Sequence, residues 1–255
     1  MGRVIDLHMH ILPGLDDGAQ TIEDSVSMAR AALADGIRTV AATPHVRDDY
    51  PTSADEMERG VDDVRQALIS NRIDVEVLTG GEIALERLGA LEPNVLARFA
   101  LGGRYVLLEF PYYGWPLELE TRVFELHAKG FAVVLAHPER NVDVQAAPAR
   151  LERLVERGAL VQVTSASLDG RLGRKAQKAA FALLDGELAH VVASDAHNPA
   201  VRDVGLRTAV DVINDDALAR WLTVDVPTAI VRDDDIPERA ASGRRHRRRF
   251  LRQRP

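Results

Sequence analysis

The sequence predicts an α/β fold in which parallel strands approach a closed barrel. Short strand-like apolar runs alternate with amphipathic helical segments, a pattern typical of β–α units that build a parallel sheet. Seven strand-like runs occur, which is close to the number that a closed barrel needs. The chain has 255 residues, of which 46% are hydrophobic, and this is sufficient for one large core.

Each predicted strand is a short run rich in apolar and β-branched residues that ends at a turn or a polar residue. The predicted strands are Arg3–His8, Ile37–Ala42, Ile73–Leu78, Tyr105–Glu109, Ala132–Ala136, Leu160–Thr164 and His190–Ala193. We expect the helices between them to return the chain, so that all seven strands point the same way.

The helices between these strands carry recognisable start and stop signals. Thr21 and Ser53 are predicted N-caps, because an acidic residue follows each of them three positions later, as in a capping box. Gly36, Gly130 and Gly158 stand where helices should stop, since glycine readily adopts the left-handed conformation that ends a helix.

The chain is predicted to form one domain over residues 1–238, followed by an arginine-rich tail over residues 239–255. Net charge is −7, but the tail holds eight arginines and no acidic residue, which leaves −15 on the preceding body. The tail is interpreted as solvated and disordered, with attachment to anionic lipid or nucleic acid as the alternative. Phe250 is its single aromatic residue, so no specific nucleic-acid contact is expected.

Several classes of protein are excluded by composition. There is no cysteine, which excludes disulfides, thiolate zinc sites and a cysteine nucleophile. The chain enters its first predicted strand at Arg3 without a charged leader, and no apolar run reaches membrane-spanning length. We therefore expect a cytoplasmic protein, with peripheral contact to the inner face of the membrane left open for the tail.

Potential metal ligands recur in short groups where predicted strands give way to loops. The groups are Asp6-Leu7-His8-Met9-His10, Asp16-Asp17, Thr43-Pro44-His45, Gly81-Glu82, Glu109, His137-Pro138-Glu139-Arg140 and Asp195-Ala196-His197. In barrels of parallel strands the functional site is built at the carboxyl ends of the strands. The groups therefore predict one polynuclear metal site at that end.

The first and last of these groups share a spacing that suits metal binding. His8 and His10 are two residues apart on an extended chain, so their rings project from the same face. Alone, such a pair is more often a coincidence than a ligand pair. Asp195 and His197 repeat the spacing at the other end of the chain, and this strengthens the prediction.

Taken together, these motifs resemble the PHP (polymerase and histidinol phosphatase) superfamily, and within it the bacterial manganese-dependent protein-tyrosine phosphatases of capsule and exopolysaccharide production. The resemblance runs from residue 3 to about 230 and rests on Asp-Leu-His-Met-His-Ile-Leu-Pro-Gly-Leu-Asp-Asp-Gly-Ala, Ala-Thr-Pro-His, Gly-Gly-Glu, Leu-Leu-Glu-Phe-Pro, Leu-Ala-His-Pro-Glu-Arg and Ala-Ser-Asp-Ala-His-Asn. It implies a distorted (β/α)7 barrel, the PHP fold, with the metal site at the carboxyl ends of the strands.

The resemblance implies three divalent metal ions and assigns ligands to each. The ligands would be His8, His10, Glu82 and Asp195 for the first ion, Glu82, Glu109 and His137 for the second, and Asp17, His45 and His197 for the third. Asp16 beside Asp17 and a purely structural ion pair for Glu109 remain alternatives. The resemblance favours manganese, while the donor set alone leaves iron or zinc open.

Arg140 and Arg202 are the candidate catalytic residues that would bind phosphate, because a guanidinium offers forked donors that match phosphate oxygens. Both match arginines of the family. The alternative for Arg140 is an ion pair with Glu139 or Asp143, and the alternative for Arg202 is a helix-start residue beside Asp203.

The predicted activity is metal-dependent hydrolysis of a phosphate monoester by water that the metal ions activate. Four carboxylates and three divalent ions would leave a net charge of +2, which favours an anionic substrate. The resemblance implies phosphotyrosine on a protein, with a bacterial tyrosine autokinase as partner, and an aromatic loop from Pro111 to Pro116 could contact the ring. The alternatives are a small-molecule phosphatase, such as a histidinol phosphatase, and a non-catalytic kinase-binding regulator.

Overall fold

The computed structural model describes residues 3–197 and 204–239, in which ten β-strands alternate with helices. The strands are β1 (Val4–Met9), β2 (Ile37–Ala42), β3 (His45–Arg47), β4 (Tyr50–Pro51), β5 (Glu76–Thr79), β6 (Glu82–Ala84), β7 (Tyr105–Glu109), β8 (Ala132–Ala136), β9 (Leu160–Thr164) and β10 (Val191–Ala193).

The helices of these described ranges lie mostly between successive strands. They are α1 (Ile22–Asp35), α2 (Ala54–Ser70), α3 (Pro93–Phe99), α4 (Leu119–Ala128), α5 (Val142–Ala146), α6 (Glu152–Glu156), α7 (Ser165–Leu168), α8 (Arg174–Asp185), α9 (Leu206–Ile213), α10 (Asp216–Arg220) and α11 (Val226–Arg232). Short 3-10 turns cover Leu85–Ala90, Pro138–Arg140 and Pro148–Leu151, and a π-helical turn covers Trp221–Asp225.

The parallel strands form a ring made of two hydrogen-bonded sheets. One sheet has the order β1-β2-β5, and the other has the order β10-β9-β8-β7-β6-β3-β4. The chain passes from β2 into β3 and from β5 into β6 after short breaks, so each pair is one strand in two pieces. At the remaining gap a parallel bridge joins Met9 to Ala196, and the His10 N–H donates to the Ala196 carbonyl at 2.9 Å. The predicted ring of seven parallel strands is confirmed, and β4 is an antiparallel addition to β3.

The two breaks in the ring have local causes. Pro44 lies in the first break, and proline has no N–H to donate to a strand ladder. Gly80 and Gly81 form the second break, and a Cβ built on Gly81 would lie 2.6 Å from Cδ1 of Phe99. Because a larger residue would collide with Phe99, the glycine is required by packing. These interruptions distort the barrel at the strands that carry His45 and Glu82.

The predicted helix signals are confirmed. Thr21 and Ser53 each form a complete capping box with the acidic residue three positions later. Gly36 is the left-handed C-cap of α1, and Gly130 and Gly158 have φ values of 88° and 92° just after α4 and α6. These helices therefore begin at capping residues and end at glycines with a positive φ.

Three of the seven predicted strands have different bounds, and the largest difference is at the third; the first is shifted by one residue and the seventh begins one residue later. The third predicted strand was expected to begin at Ile73, but β5 begins at Glu76. The Ile73 N–H donates to the Leu68 carbonyl at 3.0 Å, and Arg72 is left-handed with φ of 56°. Residues 71–73 thus complete the end of α2 before the chain becomes extended.

Some predictions concern residues outside the described ranges. Arg202 falls in the gap at 198–203, and residues 240–255 contain all of the predicted tail except Arg239. The Arg239 guanidinium donates to the Leu184 carbonyl at 3.2 Å. Among the helices that are described, none is both long and apolar enough to cross a bilayer.

Candidate metal centre

The nine predicted ligands lie together on the side of the barrel where most strands have their carboxyl ends, with His45 and Glu82 directly after the two strand breaks and Asp17 in the loop after β1, and we call them the nine-residue cluster. Its members are His8, His10, Asp17, His45, Glu82, Glu109, His137, Asp195 and His197. All except Asp17 are buried. Three overlapping groups within the cluster have ligand atoms within 4.8 Å of one another, and His10, His45 and Glu82 each belong to two of them. The structure thus brings together residues that are far apart in sequence.

Glu82 occupies the middle of the cluster. Its Oε1 lies 2.7 Å from His137 Nε2, while its Oε2 lies 2.8 Å from His45 Nδ1 and 3.4 Å from His8 Nε2. Oε2 and His45 Nδ1 are both buried and have no hydrogen bond within the described residues. Such buried polar atoms carry a desolvation cost unless a cation or another partner is supplied.

The rings of His8 and His10 are oriented so that their Nε2 atoms face each other at 3.1 Å. His8 Nδ1 donates to Gln162 Oε1 at 2.9 Å, and His10 Nδ1 donates to Asp16 Oδ2 at 2.7 Å. Burial opposes a charge on these rings, but the neighbouring carboxylates raise the pKa of both. In its neutral form each imidazole carries its one N–H on Nδ1, so each Nε2 then presents a lone pair. Two lone pairs at this distance repel unless they share a cation, and this geometry fits a metal ion.

Asp17, His45 and His197 form a second group at the edge of the cluster. Asp17 Oδ1 lies 3.3 Å from His197 Nε2 and 3.5 Å from His45 Nε2. His197 Nδ1 donates to the Asp195 carbonyl at 2.9 Å, so its Nε2 also presents a lone pair.

The neighbouring Asp16 has a different position. Its carboxylate accepts from His10 Nδ1, from the Gly18 N–H at 2.8 Å and from the His45 N–H at 2.9 Å. A Cβ on Gly18 would collide with the backbone of His10, so only glycine allows this turn. Of the two aspartates, Asp17 faces the imidazoles with its side chain and Asp16 orients His10.

Asp195 and His137 adopt unusual backbone conformations. Their φ values are 53° and 34°, in the left-handed region that non-glycine residues rarely occupy away from helix ends. Asp195 Oδ1 lies 3.4 Å from His10 Nε2 and 3.6 Å from His8 Nε2. Strain of this kind is commonly found where a side chain is held in place for function.

Arg140 lies against this part of the cluster. Its Nη1 donates to Asp195 Oδ2 at 2.8 Å, and its guanidinium lies 4.4 Å from the centroid of the Tyr112 ring. Asp195, rather than Glu139 or Asp143, is therefore the ion-pair partner within the described residues. A guanidinium has five N–H donors, so this ion pair uses only part of its capacity.

The electrostatics of the buried groups follow from their mutual distances. Burial alone would raise the pKa of Glu82, but attraction to His8 and His45 outweighs burial and lowers that pKa well below its usual value. Burial, with repulsion from Glu82, raises the pKa of Glu109 to about 7. Burial lowers the pKa of His137 to about 4, which keeps its imidazole neutral as metal binding requires.

Sequence reasoning did not identify two supporting side chains. Gln162 on β9 accepts from His8, although 154 positions separate them in the sequence. Glu139 is buried, and its Oε1 accepts from the Thr164 N–H and the Ser167 hydroxyl at 3.0 and 2.7 Å. Glu139 lies close to His137 in the chain, and Gln162 lies on a strand next to the one that ends before His137. Their hydrogen-bond partners are distant in the sequence and could be identified only from the folded barrel.

Two further residues singled out in the sequence have other neighbours. Asp6, which belongs to the first group of potential ligands, accepts with its Oδ1 from the backbone N–H groups of His8 and Ser194 at 3.3 and 3.0 Å. In the aromatic loop, Tyr112 lies 5.7 Å from the His137 ring, while Trp115 packs against Phe110. Tyr112 is thus the ring of that loop that contacts the cluster.

Comparison with protein families gives one match that spans most of the chain. A family model described as capsular polysaccharide synthesis, CpsB/CapC, matches residues 4–232. The chain is similar to the tyrosine-protein phosphatase YwqE of Bacillus subtilis, at 39% identity over 82% of this chain and 84% of that protein. It is also similar to the tyrosine-protein phosphatase CpsB of Streptococcus pneumoniae, at 28% identity over 91% and 100% of the two chains.

Solved structures also include a relative described as a tyrosine phosphatase. A structure from work on YwqE of Bacillus subtilis and CpsB of Streptococcus pneumoniae, described as metal-dependent tyrosine phosphatases, superposes with a TM-score of 0.83. Identity there is 35%, over 91% of this chain and 96% of that chain. A beta-aspartyl dipeptidase from Fervidobacterium islandicum shares 14% identity and a TM-score of 0.53, over 90% and 75% of the two chains, which shows a likeness of fold alone.

Proposed function

This chain belongs to the CpsB/CapC family of capsular polysaccharide synthesis, and we propose that it hydrolyses phosphotyrosine on proteins with divalent metal ions held by the nine-residue cluster. Its relatives from Bacillus and Streptococcus are named tyrosine-protein phosphatases, and the similar solved structure is described as metal-dependent. The protein is therefore a metal-dependent phosphoric monoester hydrolase.

The observation that carries this proposal is the orientation of the His8 and His10 rings. Asp16 and Gln162 each accept from an Nδ1 atom, so the two Nε2 atoms converge at 3.1 Å beside the carboxylates of Glu82 and Asp195 and, in the neutral rings, offer two lone pairs to a cation. Hydrogen bonds of this kind orient metal-binding histidines and raise their basicity. A buried cation removes both the repulsion of lone pairs and the uncompensated negative charge.

We assign three metal ions to the nine residues, with Glu82 shared between two of them. Imidazole and carboxylate ligands without thiolate suit manganese, iron and zinc, and the family resemblance favours manganese. When bound, such ions act as Lewis acids on phosphoryl oxygens and allow water to act as a nucleophile near neutral pH. The protein itself holds these ligands in fixed orientations and excludes bulk water from them.

Arg140 binds the phosphate in this proposal. Its guanidinium is largely buried, is held by Asp195 and lies over Tyr112, so its direction is set before a substrate arrives. A forked cation matches the oxygens of a phosphate, and the ring of Tyr112 gives the substrate an aromatic neighbour. Arg202 is assigned the same role from the sequence, and it lies outside the described residues.

The physiological partner in this proposal is a bacterial tyrosine autokinase of polysaccharide synthesis, and the reaction takes place on the cytoplasmic side of the membrane. The eight arginines of residues 239–255 would add an electrostatic attraction to anionic lipid. Vesicle flotation of the whole chain and of a chain ending at Glu238 tests this last point. Equal partitioning of the two would remove the lipid contact from the proposal.

The proposed activity is tested with metal-stripped protein. Phosphate release is measured from a phosphotyrosine peptide and from histidinol phosphate while manganese, zinc or iron is added, with His8→Ala as the control. Metal-dependent release that favours the peptide and disappears in the variant is expected. Preference for histidinol phosphate would indicate a biosynthetic phosphatase, and no release from either would contradict the proposal.

A further inference from the structure

The hairpin formed by β3 and β4 carries Arg47 and Tyr50 at the edge of the nine-residue cluster. The function proposed above uses neither side chain. His45 begins β3, and Arg47 follows two residues later, so both side chains project from the same face. The strand register places Tyr50 of β4 directly opposite Arg47, and such cross-strand partners share a face. One face of the hairpin therefore presents an imidazole, a guanidinium and a phenol.

Tyr50 contacts both of the other two side chains. The ring of Tyr50 stacks on that of His45, with centroids 5.8 Å apart and an angle of 17° between the planes. The Arg47 guanidinium lies 5.2 Å from the centroid of Tyr50, and its Nη1 lies 3.7 Å from Glu109 Oε2. Arg47 and Tyr50 are only partly buried, so a molecule bound over the cluster can reach both.

The turn of the hairpin is held in place by ion pairs. Arg47 Nε lies 2.7 Å from Asp49 Oδ1, and Arg87 Nη1 donates to Asp48 Oδ1 at 3.0 Å. The aromatic and basic side chains are thus positioned before binding, which lowers the entropy that binding must remove.

A comparison with Arg140 shows where the hairpin stands around the mouth of the barrel. Arg140 follows β8 and lies over Tyr112, whereas Arg47 belongs to β3 and lies over Tyr50. In the ring, β6 and β7 separate β3 from β8 on one side, and β9, β10 and β1 separate them on the other. Two pairs of arginine and tyrosine therefore face the cluster from opposite sides of the barrel.

We propose that the β3–β4 hairpin determines specificity for aryl phosphates: Tyr50 packs against the phenyl ring of the substrate, and Arg47 binds a phosphoryl oxygen from the side opposite Arg140. The proposal rests on the phosphatase function above and adds the residues that select the substrate. Aromatic rings favour edge-to-face and offset contacts, so the exposed part of Tyr50 suits a second ring. An arginine suits phosphate because its donors are forked and permanently charged.

The role of Tyr50 is tested by binding of two phosphonates that the enzyme does not hydrolyse. The affinities of benzylphosphonate and methylphosphonate are measured by calorimetry on manganese-loaded protein, and their ratio reports the aryl preference. Tyr50→Leu is expected to lower this preference about five- to tenfold, because it removes an aromatic contact. Tyr50→Phe should keep the preference, since the ring remains.

The matched control is Phe124→Leu, which makes an aromatic-to-leucine change at an exposed position of α4. It should leave the preference and the phosphatase rate unchanged. An undiminished preference in Tyr50→Leu, or an equal loss in Tyr50→Phe, overturns the role of Tyr50. If wild-type protein also releases no phosphate from the phosphotyrosine peptide, the phosphatase function fails as well, so the two failures are distinguishable.

The role of Arg47 is tested in the same experiment with Arg47→Met. Both phosphonates should bind about tenfold more weakly, because one charge-assisted hydrogen bond to the phosphonate is lost. The metal content, measured by plasma mass spectrometry, should equal that of the wild type. Unchanged affinity overturns the proposal, and so does loss of metal, because Arg47 would then act only by supporting Glu109.

Discussion

At the carboxyl ends of the barrel strands, charged side chains are buried and face one another. At the amino ends, charged side chains surround a cavity of about 810 Å3 and are mostly exposed. The charges at the amino end have ordinary neighbours. Arg220 pairs with Asp225 at 3.2 Å, and Glu76 accepts a hydrogen bond from the Thr39 hydroxyl at 3.1 Å. The two ends thus contain similar residue types in very different surroundings.

Burial of charge, rather than the size of a cavity, therefore distinguishes the end of the barrel at which we propose the metal site. Exposed ions remain hydrated and contribute little to stability when they pair. Buried carboxylates such as Glu82 and Asp195 lose their hydration and need compensating charge. The same acidic side chain should therefore matter greatly at one end and little at the other.

The sharpest test of this contrast makes one chemical change at each end. Glu82→Gln removes the central carboxylate of the cluster, and we expect kcat/KM for a phosphotyrosine peptide to fall by about 1000-fold or more, since electrostatic stabilisation is lost. Glu76→Gln at the amino end should change kcat/KM less than about twofold, because such surface substitutions are nearly neutral. Steady-state kinetics on folded variants would refute the contrast if both lost activity equally.

Removal of metal should have the next largest effect. A site that is saturated at about 100 times its Kd adds about 2.7 kcal/mol of stability. For a domain of this size that corresponds to a fall in Tm of about 5–10 °C on chelation. Scanning calorimetry with and without chelator measures the shift. The Tm of Glu76→Gln should fall by the full amount on chelation, and the Tm of Glu82→Gln should fall by less. A wild-type Tm that does not change with chelator would contradict metal binding.

The smallest of these effects concerns a residue beside the ligands. Asp16→Asn replaces one acceptor oxygen with a donor where three N–H groups converge, and we expect manganese affinity to fall about 10–100-fold. Asp62→Asn on α2 is the matched control, because Asp62 is exposed and pairs with Arg65 at the surface. Calorimetric titration with manganese measures both. Equal affinities would show that Asp16 does not orient His10.

Much of the fold could be predicted from the sequence because its signals are local. Strands β2, β7, β8 and β9 have the predicted bounds, since each is a short run dominated by apolar, aromatic and β-branched residues. The breaks at Pro44 and Gly80-Gly81 were not predicted; the first follows from proline itself, whereas the second depends on a neighbouring element. The need for glycine at position 81 comes from Phe99, which lies on α3 in a later part of the chain.

The site shows the same division between local and long-range information. The convergence of the nine-residue cluster could be predicted, because every group follows a strand or the first HxH motif and parallel strands end together. The hydrogen bonds that orient it could not, since Gln162 meets His8 and Arg140 meets Asp195 only across the closed ring. The position of Tyr50 opposite Arg47 likewise could not be predicted, because it depends on the register between β3 and β4.

The closure of the ring between β1 and β10 has a consequence for the order of events during synthesis. His8 and His10 are among the first residues made, but their neighbours Asp195 and His197 are made almost 190 residues later. At ordinary translation rates this interval is roughly 10–40 s. A growing chain therefore carries an incomplete nine-residue cluster throughout that time, and the proposed metal centre is complete only when the last strand reaches the first.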